Sequence, residues 1–133
     1  MTLILCLDTK GGMTFNGRRQ TLDYEVVADI SVLGNKKLYI SPFSESYFKG
    51  RGAKVVDEPL KDAPSDATVF IEDTDPLPFL DKVEKIIIFR WGEVYPQDCR
   101  ISFDPCEKGF KKLGEMKYST KVHQNIKKEI YKR

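Results

Sequence analysis

The chain has 133 residues, 41% of them hydrophobic and 32% charged, with 22 Lys plus Arg against 20 Asp plus Glu. That length supports one domain over residues 1–133 with its own core, and requires no disulfide or metal staple. A net charge of +2 excludes a broad electrostatic drive toward nucleic acid or anionic membrane, and no apolar run approaches the roughly 18 residues that span a bilayer.

Cys6, Cys99 and Cys106 are an odd number without close pairing. With no secretory leader pattern at the N-terminus, the expectation is reduced thiols in a cytoplasmic protein. Cys6 lies inside an apolar run and reads as a small core residue. His123 is the whole imidazole inventory and sits in the polar stretch "STKVHQN", where a solvated surface histidine is expected. Cys99 and Cys106 are too isolated for a structural zinc site, so no metal is expected.

Residues 3–8 form a short apolar run ended by turn residues, the pattern of a buried strand. In "LDYEVVADIS" (residues 22–31), Leu22, Val26, Val27 and Ile30 have helical spacing. Asp23 and Glu25 near its start suit the positive end of the helix dipole, and Gly34-Asn35 closes the unit. "KKLYISPFSESYF" reads as a strand over Leu38–Ile40 and a short helix with Ser41 as N-cap and Pro42 in its first turn. "GAKVVDEPL" is another short strand. "ATVFIEDTDPLPFL" is a strand over Thr68–Ile71 followed by an Asp/Pro-rich connection into a brief helix.

"KIIIFRW" (Lys85–Trp91) is β-branched and aromatic with no breaker, the strongest strand of the chain. "CRISF" reads as its neighbour. In the tail, Val122, Ile126 and Ile130 are spaced for a helix, while Ile126 and Ile130 also fit one side of an edge strand. Alternating strands and short helices predict an α/β domain, with a mainly parallel sheet and late antiparallel strands.

The stretch "LDTKGGMTFNGRRQ" (residues 7–20) has three readings: a phosphate cradle, a plain turn, or the mobile lip of an active site. No Gly-Lys-Ser/Thr completes a phosphate loop. In the order "LILCLDTKGGMTFNGR" it resembles the opening of dihydrofolate reductases: strand, acidic turn, glycine pair, Asn-Gly-Arg. "LYISPFSESYF", "KGRGAKVV", "KIIIFRWGEVYPQDCRISF" and "NIKKEIYKR" follow in the order of that family's later segments. The resemblance is a set of short matches spread over nearly the whole chain. It implies a dihydrofolate reductase-like three-layer fold with a mostly parallel central sheet, late antiparallel strands and short flanking helices.

The resemblance also implies roles. The family holds its pteridine with a carboxylate at the start of the first helix. Glu25 matches on a direct count from Asn-Gly-Arg, and Asp23 matches if the loop is two residues shorter; either is a candidate acid if buried in an apolar cleft. Met13, Asn16, Arg18 and Arg19 fall in the front loop beside the substrate. Arg51 aligns with the arginine that grips the substrate carboxylate through paired hydrogen bonds.

Several positions depart from the family. Its Gly-Arg-x-Thr helix start, which binds the nicotinamide dinucleotide, is Ser41-Pro42-Phe43-Ser44 here. Ser41 and Ser44 keep hydroxyls for a phosphate, but the cation is gone. In the place of its later Gly-Gly pair the sequence reads Ile71-Glu72-Asp73-Thr74-Asp75, whose three carboxylates would face a dianionic linker. One like-charge contact at about 4 Å and an effective dielectric of about 20 costs roughly 4 kcal/mol before screening. Phe89 occupies the place of the threonine that bonds the pteridine, and the family's Trp after Asn-Gly-Arg is missing.

The resulting expectation is a divergent family member binding a small planar or anionic ligand without NADPH-dependent hydride transfer, with no cofactor required. Two alternatives stand beside it. One is an NADPH-dependent reductase of a pterin-like or other small heterocycle. The other is a protein-interaction module using the basic C-terminal tail. No membrane or nucleic-acid partner is expected, and the sequence leaves turnover open.

Overall fold

The computed structural model describes residues 1–19 and 23–133; Leu22, expected on the first helix, lies outside the described residues. Strand β1 (Thr2–Leu7) is buried from Leu3 onward. Leu3, Leu5 and Leu7 belong to one apolar cluster, and Ile4 and Cys6 to a second. Alternate residues feeding two cores mean that both faces of the sheet are covered, which is why this run reads as continuously apolar.

The main sheet contains β4 (Leu38–Ile40), β5 (Lys54–Val55), β6 (Thr68–Ile71), β7 (Lys85–Trp91), β9 (Lys111–Tyr118) and β10 (Ile126–Lys132). Its spatial order is β5-β4-β6-β1-β7-β10-β9. The five strands from β5 to β7 run parallel, and β10 is antiparallel to both of its neighbours. The architecture is mixed α/β, with a seven-stranded, mostly parallel sheet and few, short helices. Among the described residues no helix is long and apolar enough to cross a membrane.

From β1 the chain steps outward to β4 and β5. Those connections, helix α1 (Tyr24–Gly34) and the 3₁₀ turn Pro42–Tyr47, lie over the cluster containing Ile4 and Cys6, through Val26, Val27, Ile30 and Phe48. From β5 the chain steps back to β6 and then over β1 to β7. Those connections, helix α2 (Pro59–Asp62) and the 3₁₀ turn Leu77–Lys82, place Leu60 and Leu80 in the other cluster. Right-handed crossovers require this: reversing the direction of travel changes the face. The chains leaving β4 and β1 therefore go to one face and the chain leaving β6, between them, goes to the other. Such switch points open a crevice at the carboxyl ends of the strands.

Helix α1 stops where its sequence predicts, at Gly34-Asn35, and its first helical residue is Tyr24. Asp23 is the N-cap and accepts from the Val26 N–H at 2.8 Å; Asn35 ends the helix in the left-handed region at φ 46°.

The other half of the chain differs from the sequence reading in three places. The tail, open in the sequence between a helix and an edge strand, is an internal strand: β10 pairs with β7 on one side and β9 on the other. A spacing of four satisfies both a helical turn and one face of a strand, so Ile126 and Ile130 do not discriminate. β8 (Cys99–Arg100) does not pair with β7, because β10 takes that edge in a seven-residue register. Instead it completes a small sheet of order β3-β2-β8 with β2 (Gly12–Phe15) and β3 (Arg18–Arg19). His123, expected at the surface, is 3% exposed and stacks on Trp91, 2% exposed, with ring centroids 4.1 Å apart.

Because β10 is internal to the sheet, deleting residues 120–133 is expected to abolish cooperative folding rather than remove a detachable basic tail. Loss of the thermal unfolding transition by circular dichroism checks this. A truncated chain that melts like the full one would contradict the strand assignment.

Candidate functional site

The front stretch is built around Asp8, which is fully buried. Its Oδ1 accepts from the Lys10 and Gly12 N–H groups at 2.8 Å each, and its Oδ2 accepts from the Tyr95 N–H at 3.1 Å. One carboxylate thus ties the end of β1 to the start of β2 and to the loop after β7. Gly12 is required by this packing: a Cβ there would lie 1.9 Å from Gln97 Oε1 and 2.7 Å from Asp8 Oδ2.

Beyond Gly12 the stretch is a β-hairpin. Asn16 (φ 51°) and Gly17 (φ 69°) form the two-residue turn, with Phe15 opposite Arg18. Both central residues at positive φ define a type I′ turn, and Asn-Gly is its preferred sequence. Asn16 donates its N–H to Asp98 Oδ2 at 3.0 Å. The segment expected as a hinged lip is therefore sheet-bonded on both sides of β2. Met13, expected beside a ligand, is 2% exposed within the core cluster of Leu5 and Leu7.

The hairpin carries Arg19 over the carboxyl end of β6. Its guanidinium meets Glu72 in a two-point fork, Nε to Oε1 and Nη2 to Oε2, both 3.0 Å, and Nη2 also donates to the Phe43 carbonyl at 2.8 Å. The guanidinium carbon sits 4.1 Å from the Tyr47 ring centroid and 5.2 Å from that of Phe43. Ser44, fully buried, donates its hydroxyl to Glu72 Oε2 at 2.5 Å. Burial pushes the Glu72 carboxyl above its ordinary range, and the Ser44 and Arg19 contacts reverse this only in part. Ser41, the other serine expected to meet a phosphate, is buried, and its Oγ has no hydrogen-bond partner among the described residues.

Of the two carboxylates at the first helix, Asp23 faces inward at 4% exposure, and its Oδ2 accepts from the Thr120 hydroxyl at 2.7 Å. Glu25 is exposed and accepts from the Lys121 N–H at 3.0 Å. Cys6 lies near Asp23 and Glu72; burial pushes its thiol well up, and the two carboxylates add to the shift. Phe89 is fully buried in the same cluster as Cys6, edge-on to Tyr118 at 6.5 Å. The structure thus brings Arg19, Ser44, Asp23 and Phe89 toward one buried seam at the carboxyl ends of β1, β4, β6 and β7. Arg18 and Arg51 are exposed. Arg51 lies in a turn between Gly50 and Gly52, and no ion pair joins it to that seam among the described residues.

A second site lies on the opposite flank and was not found from sequence. Register places Arg90 (β7) opposite Lys127 (β10), and Lys127 opposite Lys117 (β9). Directly opposed residues project on the same face, so three cations run in one row across three strands. One rung away are Glu129 and Glu115. Arg90 Nε meets Glu129 Oε1 at 2.5 Å, Lys112 joins Glu115 at 2.6 Å and Glu129 at 3.1 Å, and Lys127 is 3.9 Å from Glu115. Burial works against the Glu129 charge, but Arg90 and Lys112 outweigh it and hold the carboxyl below its ordinary value.

The cation row lines a groove of about 550 Å³, together with Thr9, Trp91, Tyr118, Ser119, Gln124 and Asn125. Among the described residues no carboxylate lines it. The Tyr118 hydroxyl is buried without a partner among the described residues, and burial pushes its phenol up. Sequence alone hides this row, because its members lie 27 and 10 residues apart in the chain, on strands whose register is a tertiary property. Among the described residues no group of three or more His, Cys, Asp or Glu side chains is placed to hold a metal ion. Compared with known proteins, the chain matches no protein-family model and no curated sequence.

Arg19→Ala leaves Glu72 buried without its cation and is expected to cost about 3 kcal/mol at neutral pH, read from urea unfolding. A carboxyl raised in the folded state favours folding while protonated and loses that contribution as pH rises through its folded value. The deficit should therefore shrink on acidification, and Glu72→Gln in the same background should recover part of it. A deficit independent of pH and of Glu72 would refute the pairing.

Proposed function

We propose that this chain is a divergent dihydrofolate reductase-like protein that binds a small planar, anionic ligand and carries out no nicotinamide-dependent hydride transfer. The observation that carries the ligand class is the row of Arg90, Lys127 and Lys117 along a groove whose lining has no carboxylate. A volume of about 550 Å³ accommodates one heteroaromatic ring system with an acidic substituent. Gln124 and Asn125 supply amide donors and acceptors, and Thr9 and Ser119 supply hydroxyls.

The family reading is supported by order and placement. A central first strand, an Asn-Gly-Arg hairpin crossing the carboxyl edge, a buried acid capping the first helix and late antiparallel strands follow one another as the resemblance implies. What weighs against a nicotinamide dinucleotide is the chemistry at the end of β6. Glu72 and Asp73 replace glycine there, Ser44 is engaged by Glu72, and the Arg19 guanidinium is already paired. The basic tail belongs to the sheet, which removes the motive for a detachable interaction module.

Thermal-shift measurements with anionic heteroaromatics (pterin-6-carboxylate, flavin mononucleotide, nucleoside monophosphates) should give a saturable stabilisation that weakens with added salt. Lys117→Ala together with Lys127→Ala should lower affinity roughly tenfold, about 1.4 kcal/mol. Stabilisation by none of these anions, or an affinity unchanged in the double variant, would overturn the groove assignment. Saturable NADPH binding with substrate-dependent oxidation would restore the reductase reading.

A further inference from the structure

Strand β9 closes one end of the seven-stranded sheet, and among the described residues no strand pairs with its outer side. Its residues are exposed apart from the half-buried Gly114 and Tyr118, and the apolar Leu113 and Met116 are 63% and 61% exposed. Such an edge presents a row of unpaired N–H and C=O groups, a template for another strand. The register with β10 shifts partway along it. Gly114 stands opposite Ile130 and Lys112 opposite Tyr131, so Leu113 is the extra residue of a bulge. A bulge bends and twists the strand that carries it. The regular part of the edge is therefore "GEMKY", residues 114–118, with Met116 at its centre.

The charge pattern of that stretch is self-complementary. A second copy laid antiparallel and centred on Met116 sets Met116 against Met116, Glu115 against the partner's Lys117, Lys117 against the partner's Glu115, and Gly114 against the partner's Tyr118. Directly opposed residues share a face, so each charge meets its opposite and the apolar pair lies on the two-fold axis. Gly114 adds no side chain to crowd the partner's Tyr118, and a Cβ there would meet nothing within 4 Å. Centring the pair on Glu115 or on Lys117 instead sets like charges face to face. The match continues inward. The row Arg90, Lys127, Lys117 would run on into the partner's Glu115 and Glu129, which share one row by register. Lys117 is exposed and forms no ion pair among the described residues, while Glu115, 31% exposed beside Lys112, keeps acceptor capacity.

We propose that the β9 edge pairs with a second copy of this chain, antiparallel about Met116, in an isologous two-fold dimer that joins the two sheets into one. Residues 114–118 of each copy exchange roughly four to six backbone hydrogen bonds, depending on whether the central pair is of the bonded or the non-bonded kind. The pattern disfavours other strands. Edge lysines blunt indiscriminate strand addition, and a uniformly acidic strand aligned on Lys117 and Lys112 would set an acid against Glu115, which shares their face. The dimer requires no ligand in the cationic groove. Lys117 also lines that groove, so the ligand-free chain is the one to test, and either assignment can fail alone.

Sedimentation equilibrium of the full chain over a concentration series tests it. A species of twice 15.3 kDa should grow with concentration and recede with added salt. Lys117→Glu alone and Glu115→Lys alone each oppose like charges twice across the axis. Each should weaken the dimer at least roughly tenfold, about 1.4 kcal/mol, with an unchanged circular dichroism spectrum. Mixing the two single variants, or combining both changes in one chain, makes every opposed pair complementary again and should recover the dimer. That recovery separates a broken interface from a damaged fold. A chain monomeric at every concentration, including one that instead captures a polyglutamate peptide, would overturn the proposal. So would a dimer indifferent to both single variants, which places the interface elsewhere, or a loss that neither the mixture nor the double variant repairs.

Discussion

The fork between Arg19 and Glu72 is the contact on which the front of the molecule depends. A carboxylate stands at the carboxyl end of β6, where the chain leaves for one face while its neighbours leave for the other. Buried there without a cation it would be costly. Arg19 reaches it only because the Asn16-Gly17 turn returns the chain across the sheet edge in a fixed register, and because Asp8 holds the start of that hairpin through three backbone N–H groups. Tyr47 and Phe43 flank the guanidinium and exclude water, which strengthens the pair. The pair therefore links the first strand, the hairpin, the turn after β4 and the end of β6.

The same contact divides the surface chemically. At the switch points the chain presents carboxylates: Glu72 neutralised by Arg19, and Asp73 less completely so. On the far flank, β7, β10 and β9 present a row of cations, restrained by a row of acids one rung away. A near-balanced sequence charge thus conceals two regions of opposite sign. Net charge bears on solubility and nonspecific attraction, whereas register decides which charges share a face.

How legible each part was depended on whether its cause was local. The strand over Lys85–Trp91 and the helix capped by Asp23 and ended by Asn35 follow from burial pattern and capping chemistry within a few residues. The hairpin was also local: Asn-Gly between Phe15 and Arg18 is a strong turn signal, but the same glycine-rich stretch also admitted a mobile lip. His123 was misplaced because its polar neighbours describe a loop, while its environment is set by Trp91, thirty-two residues earlier in the chain. Cys99–Arg100 has the composition of a strand, but composition does not choose a partner, and β10 competes for the same edge with a longer register.

By itself the sequence determined the alternation of buried strands with short helices, the end of the first helix at Gly34-Asn35, the run of acids after the strand at residues 68–71, and the absence of any broad charge bias. These rest on periodicity, caps and residue chemistry, which act over a few residues. Only the tertiary structure decided that Asp23 rather than Glu25 faces inward, that Arg19 pairs with Glu72, that the tail is an internal strand, and that Arg90, Lys127 and Lys117 form one row. Each of these requires strands distant in sequence to adopt a particular order and register. That choice is made by burying two apolar faces of one sheet at once, and no short stretch of the chain carries that information.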